Sequence, residues 1–247
     1  MFEKPKTYPT AYTADRLDPD QADTWAAAWV LAQQEVTGGQ ILILTPRVRM
    51  PAGHPILERL LQHHGAVQAS ERALPRTSWR GGPVLAAWPD RKTLAEFVDD
   101  DRTTALCVLT WNESDFRAWA VATGALQLGG EPEASKAPPT ISDAVVLQGL
   151  RTVTLLVNQN NTLKGGHEKS VAASALLTLK KHGHALDADE IYAWSLAEGW
   201  RGPRAEELRA LITQINGGSR PRVGGQVLRS DIYRKWKAEA SRPTVTE

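Results

Sequence analysis

Ile41-Leu42-Ile43-Leu44 runs into Thr45-Pro46-Arg47-Val48-Arg49, and Ala105-Leu106-Cys107-Val108-Leu109 runs into Thr110-Trp111-Asn112-Glu113. Both apolar runs are short and unbroken, as a strand covered on both faces requires, whereas a strand with one wet face would alternate apolar and polar residues. Val84 to Trp88, set off by Gly81-Gly82-Pro83, reads as a third strand of the same kind, and Val67 to Ser70 as a shorter one. Helical spacing fills the intervals. Asp18-Pro19-Asp20 supplies a capping carboxylate, a first-turn proline and acids at the positive pole. Trp25, Ala28, Trp29, Ala32 and Val36 then recur at three- and four-residue steps until Gly38-Gly39, which predicts one buried face. Pro55 to His64 and Asp90 to Val98 are amphipathic, and Asn112 or Ser114 opens a helix through Phe116, Trp119 and Ala120 to Gly124. Residues 1–17 show no apolar period and read as an irregular arm. Strand and helix in alternation predict an α/β domain over residues 1–128, with a Rossmann-like, mostly parallel sheet covered by helices.

Residues 129–142 carry three prolines and little apolar content, the composition of a linker. Beyond them strand signals stop. Helices are expected from Ser142-Asp143, from His167 to His182, from Asp187, from Pro203 and from Ser230, so residues 143–247 read as an all-helical domain that ends in a basic arm and helix.

The chain has 247 residues, 42% of them hydrophobic and 23% charged, which is ordinary globular composition and excludes collagen-like, mucin-like and wholly disordered chains. Cys107 is the single cysteine, so no intrachain disulfide and no Cys-based zinc site can form; its apolar neighbours predict a buried, inert thiol. No run is long enough to span a bilayer, and the polar start Met1-Phe2-Glu3-Lys4-Pro5 lacks the core of a signal peptide; a cytoplasmic protein with no membrane partner is expected. The net charge of +1 hides a split. Residues 1–142 hold 14 basic and 17 acidic side chains, residues 143–247 hold 15 and 11, and residues 200–242 alone hold 10 and 4. Such asymmetry points to an anionic partner for the second half.

Parallel sheets bind ligands beyond the carboxyl ends of their strands. Those ends offer Arg47 and Arg49 to clamp phosphate or carboxylate, Trp88 and Trp111 to stack on a ring, and Arg91 and Asn112 as further ligand-binding groups. Asp90 and Glu113 are the acid/base candidates, although Asp90 and Asn112 also stand where helix caps belong. Dinucleotide, P-loop, nucleophile-elbow and zinc-protease motifs are all missing; Gly165-Gly166-His167-Glu168-Lys169-Ser170 fails as a P-loop because an acid precedes the lysine and no strand feeds it. The passage ending in Leu44-Thr45-Pro46 resembles part of a helicase core, but without a phosphate loop that resemblance implies no activity. No cofactor is implied, and His182-Gly183-His184 lacks a third ligand, so no metal is expected. Lys164-Gly165-Gly166 suits either a phosphate or a plain interhelical turn.

The tail is the most distinctive segment. Arg220-Pro221-Arg222 lies between glycines, in a pattern suited to a minor groove, and Arg229, Arg234, Lys235 and Lys237 interleave with Tyr233 and Trp236. These six basic residues are the nucleic-acid-binding candidates. The same helix also suits docking of Ile232, Tyr233 and Trp236 onto the domain. The leading expectation is a non-catalytic binding protein that contacts nucleic acid or another anionic partner. The alternatives are an enzyme acting on a phosphorylated or nucleotide-like small molecule at the sheet edge, and a structural protein assembled through tryptophan-rich helices.

Overall fold

Six strands form one sheet in the order β3-β2-β4-β5-β1-β6, and every pairing in it is parallel. The strands are β1 (Thr10–Thr13), β2 (Leu42–Thr45), β3 (Val67–Ser70), β4 (Gly82–Ala87), β5 (Thr103–Leu109) and β6 (Leu126–Leu128). In this computed structural model the described residues are 8–13, 17–47, 53–70, 77–110, 116–129 and 139–242. The chain divides into two compact units, Met1–Pro138 and Pro139–Glu247, at a point inside the proline-rich stretch 129–142. The first is the α/β unit; the second is helical.

In the α/β unit the helices are α1 (Pro19–Thr37), α2 (Pro55–His63), α3 (Arg91–Val98) and α4 (Arg117–Thr123). The unbroken apolar runs are buried as expected: Leu42, Ile43 and Leu85 are fully buried, as are Leu106 and Cys107. Burial pushes the Cys107 thiol far up, which leaves it a neutral core side chain.

Two strands depart from the sequence reading. Thr10-Ala11-Tyr12-Thr13 lies inside the stretch read as an irregular arm, yet it is a buried strand between β5 and β6. Four residues with two threonines carry too little hydrophobicity to announce a strand; neighbours on both sides make it one. The three-residue β6 is equally short on signal. The face of α1 also differs. Trp25 is 51% exposed and Val36 81% exposed, while Asp23, Ala26, Ala27 and Val30 turn inward. Ala26 and Ala27 let the helix lie close to β4 and β5, with Trp29 packed half-buried beside them; because the helix is rich in alanine and tryptophan, two faces fit one period.

The amino-terminal edge of the sheet is closed tightly. Gly82 has φ +144°, and a Cβ there would lie 2.5 Å from the Gln40 carbonyl oxygen, so only glycine fits where β4 starts beside β2. Trp79, 2% exposed, donates its indole N–H to that same carbonyl at 2.6 Å.

The helical unit contains α5 (Ala144–Leu156), α6 (Gly166–Lys181), α7 (Ala188–Ala197), α8 (Gly202–Asn216) and α9 (Ile232–Ala240). Asp143 caps α5 by accepting from the amides of Val145 and Val146, and Asp187 caps α7 in the same way. Val153, Val171, Leu176, Leu208 and Ile212 are fully buried. No helix among the described residues is long and apolar enough to cross a membrane.

Candidate functional site

Two regions answer to the sequence candidates: the carboxyl rim of the sheet and the last helix with the segment before it. The rim has a defined focus. From β2 the chain turns outward to β3; from β3 it crosses back to β4 and continues to β5 on the other side. Neighbouring strands whose onward connections part in opposite directions leave a crevice beyond their carboxyl ends, and open α/β sheets bind ligands at such points.

Arg47 follows β2, and Trp88, Asp90 and Arg91 follow β4, so the chain path sets all four beyond the carboxyl ends of these two neighbouring strands. Arg47 is exposed, with its carbonyl held by the Thr45 hydroxyl at 2.8 Å. Asp90 caps α3, accepting from the Thr93 amide at 2.7 Å, and Arg91 is the first residue of that helix. Arg49, Trp111, Asn112 and Glu113 lie outside the described residues.

Trp88 is the only described non-glycine residue with positive φ, at +53°. A bulky side chain rarely adopts that conformation, and such strain concentrates at functional sites. The Trp88 amide donates to the Leu109 carbonyl at 2.9 Å, which ties the turn to β5. Its half-buried ring meets the His54 ring at 4.5 Å between centroids and a tilt of 49°. His54 stands at the N-cap position of α2 but caps nothing. Its Nδ1 instead contacts Asp23 Oδ2 at 2.8 Å across to α1. The Asp23 side chain is 3% exposed and that of His54 26% exposed. Burial pushes the Asp23 carboxyl above its usual range, and the hydrogen bond from His54 opposes that rise. In the neutral ring, an imidazole whose Nδ1–H is held by a carboxylate presents Nε2 as an acceptor. His54 Nε2 makes no hydrogen bond among the described residues.

Sequence reading missed Asp23 and His54. The signal for Asp23 was its phase: it precedes Ala26, Ala27 and Val30 by three, four and seven residues, which puts it on the buried side of α1.

In the helical unit Arg220 and Arg222 are exposed on the segment between α8 and α9, and Gly224 N–H donates to Ser170 Oγ at 3.1 Å, which fastens this segment to α6. Arg229 is bound bidentately to Asp231, at 3.0 Å for each bond, and holds the Asp231 carboxyl below its usual range. Lys235 Nζ is 3.7 Å from Glu239. Arg234 and Lys237 are exposed at three-residue spacing and form no ion pair among the described residues. The aromatics face the other way. Trp236 is fully buried and donates to Thr152 Oγ1 at 2.8 Å; Tyr233 stacks on His182 with centroids 3.5 Å apart and meets His184 Nε2 through its hydroxyl at 3.1 Å. Tyr233 and Trp236 therefore dock α9 on its own unit.

Residues 142–237 match the model of a family described as a domain of unknown function (DUF1889). No curated protein and no solved structure matches the chain. The matched region runs from the residue before the α5 cap into α9 and so takes in Tyr233, Trp236 and the docking contacts just described.

Elsewhere in the matched region, the turn at Lys164-Gly165-Gly166 is served by a carboxylate of the chain itself. Glu207 accepts from the Leu163 amide at 2.7 Å and lies 3.8 Å from Lys164 Nζ. His184 Nδ1 contacts Asp143 Oδ2 at 2.6 Å. No group of three or more His, Cys, Asp or Glu residues suited to a metal occurs among the described residues. Partial burial works against the Asp143 charge, but hydrogen bonds from His184 and from the amides of Val146 and Val145 outweigh it, and the carboxyl lies below its usual range. A depressed carboxyl contributes stability above its unfolded pKa and loses it as pH falls through the folded value. Asp143→Ala should cost about 1 kcal/mol at neutral pH. The difference from wild type should vanish in acid below the usual carboxylate range, as urea titrations at several pH values would show.

Proposed function

We propose that the helical unit binds nucleic acid as a polyanion, through phosphate contacts from Arg220, Arg222, Arg234 and Lys237. The observation that carries this reading is the division of labour on α9: its aromatics are spent on docking, while Arg234 and Lys237 are exposed and form no ion pair within 4 Å among the described residues. Arg229 and Lys235 are secondary, because each has a carboxylate beside it. With no exposed aromatic on α9 to stack on bases, binding would be indifferent to sequence. Neutralising about four phosphates gives a salt slope near −3.6, so affinity for mixed-sequence duplex DNA should fall about 150-fold between 50 and 200 mM salt. A mobility-shift assay at those two concentrations tests this. Alanine at all four positions should abolish the shift, and no shift by wild type at the lower salt concentration would remove the reading.

A second reading concerns different residues: the rim of the sheet takes a phosphorylated or nucleotide-like small molecule. It is favoured by the strained Trp88, which stands with exposed Arg47 at the point where the strand order reverses.

A further inference from the structure

We propose that His54 is the hydroxyl-accepting group of a site for a nucleoside monophosphate-like ligand beyond the carboxyl ends of β2 and β4, with Asp23 as its positioning residue and Trp88 as the ring contact. This rests on the second reading above and goes beyond it by assigning residues and a ligand class.

Asp23 and His54 come from two different helices, yet they meet at 2.8 Å at the carboxyl edge, one almost wholly buried and the other only partly. A buried carboxylate needs a partner, and a surface lysine or arginine would meet that need. Here the partner is an imidazole whose remaining nitrogen is unpartnered among the described residues. The backbone also accepts strain to place Trp88 against this imidazole. Trp88 also packs against the core of the sheet, which accounts for an apolar side chain at this position but not for its positive φ. The three side chains give an aromatic face and a hydrogen-bond acceptor side by side. Arg47, in the β2–α2 connection that also carries His54, adds an exposed positive charge. A ring to stack, a hydroxyl to donate and a phosphate to pair are the matching ligand features.

The test uses the full chain with adenosine monophosphate and, separately, inorganic phosphate. Calorimetry reads binding, and nitrogen–proton correlation spectra of the histidine rings read His54. The expected result is adenosine monophosphate binding with movement of the His54 Nε2 signal, and at least tenfold weaker binding in His54→Gln and Trp88→Phe. Asp23→Asn should shift the His54 tautomer away from protonated Nδ1, which loss of a merely structural contact would not do; should that variant fail to fold, His54→Gln carries the test. Nucleotide binding with a motionless His54 signal overturns this inference and leaves the second reading standing. No nucleotide binding at millimolar concentration overturns both. Equal affinity for inorganic phosphate and nucleotide overturns the assigned ligand class.

Discussion

Trp236→Ala should cost the helical unit about 4 kcal/mol and free α9 from α5. Trp236 is the one fully buried side chain of a nine-residue helix, and helices that short do not persist in water without tertiary contacts. Its indole N–H satisfies Thr152 Oγ1, so truncation opens a cavity and deletes a buried hydrogen bond together. Tyr233 remains against His182 and His184, but that contact is part-exposed and holds only the first turn. Hydrogen exchange should show α9 amides losing protection in the variant, and wild-type protection there would show that other contacts hold the helix. Trp236→Phe keeps most of the volume and should cost roughly 1–2 kcal/mol, the share of the N–H bond. Freeing α9 also scatters Arg234 and Lys237, so the polyanion binding proposed above should weaken although neither residue has changed.

Trp79→Ala should have an effect of similar size, about 4 kcal/mol, on the α/β unit. The ring is buried at the amino-terminal edge, where its N–H serves the Gln40 carbonyl and the Arg102 guanidinium lies 4.9 Å from its centroid. Arg102 is itself fixed by Asp100, with Nη2 to Oδ2 at 2.7 Å, and that bond lowers the Asp100 carboxyl against the opposing effect of burial. Removing the indole leaves a cavity, a carbonyl short of a donor and an arginine short of its platform. Urea unfolding should register the loss in midpoint. Because this edge lies opposite the rim, the ligand binding proposed for the rim should be unchanged in the folded fraction, and a weakened site would mean that the two edges are coupled.

How far the sequence could be read depended on how much hydrophobicity each element carries. β2, β4 and β5 are central, and their residues had to be apolar on both faces, so they stood out as unbroken runs. β1 and β6 take their stability from neighbours, and neither Thr10-Ala11-Tyr12-Thr13 nor Leu126-Gln127-Leu128 shows it locally. Caps were legible because a carboxylate before a helix has a local cause: Asp18, Asp90, Asp143 and Asp187 all accept from their own first turns. The rim was half legible. Trp88 and Arg47 follow strands and could be nominated by position, whereas Asp23 and His54 matter only because α1 and α2 come together, a long-range fact. On α9 both readings of the pattern were available, and burial of Trp236 decides between them for the aromatics.

The place of β1 bears on how the α/β unit comes into being. Thr10–Thr13 pairs with residues 106–108 on one side and 126–128 on the other, roughly a hundred positions further along. During synthesis this segment emerges well before either partner strand and has no berth until both have followed. Pairing over that separation favours slow closure of the sheet, which depends on β1 staying unengaged until its partners arrive.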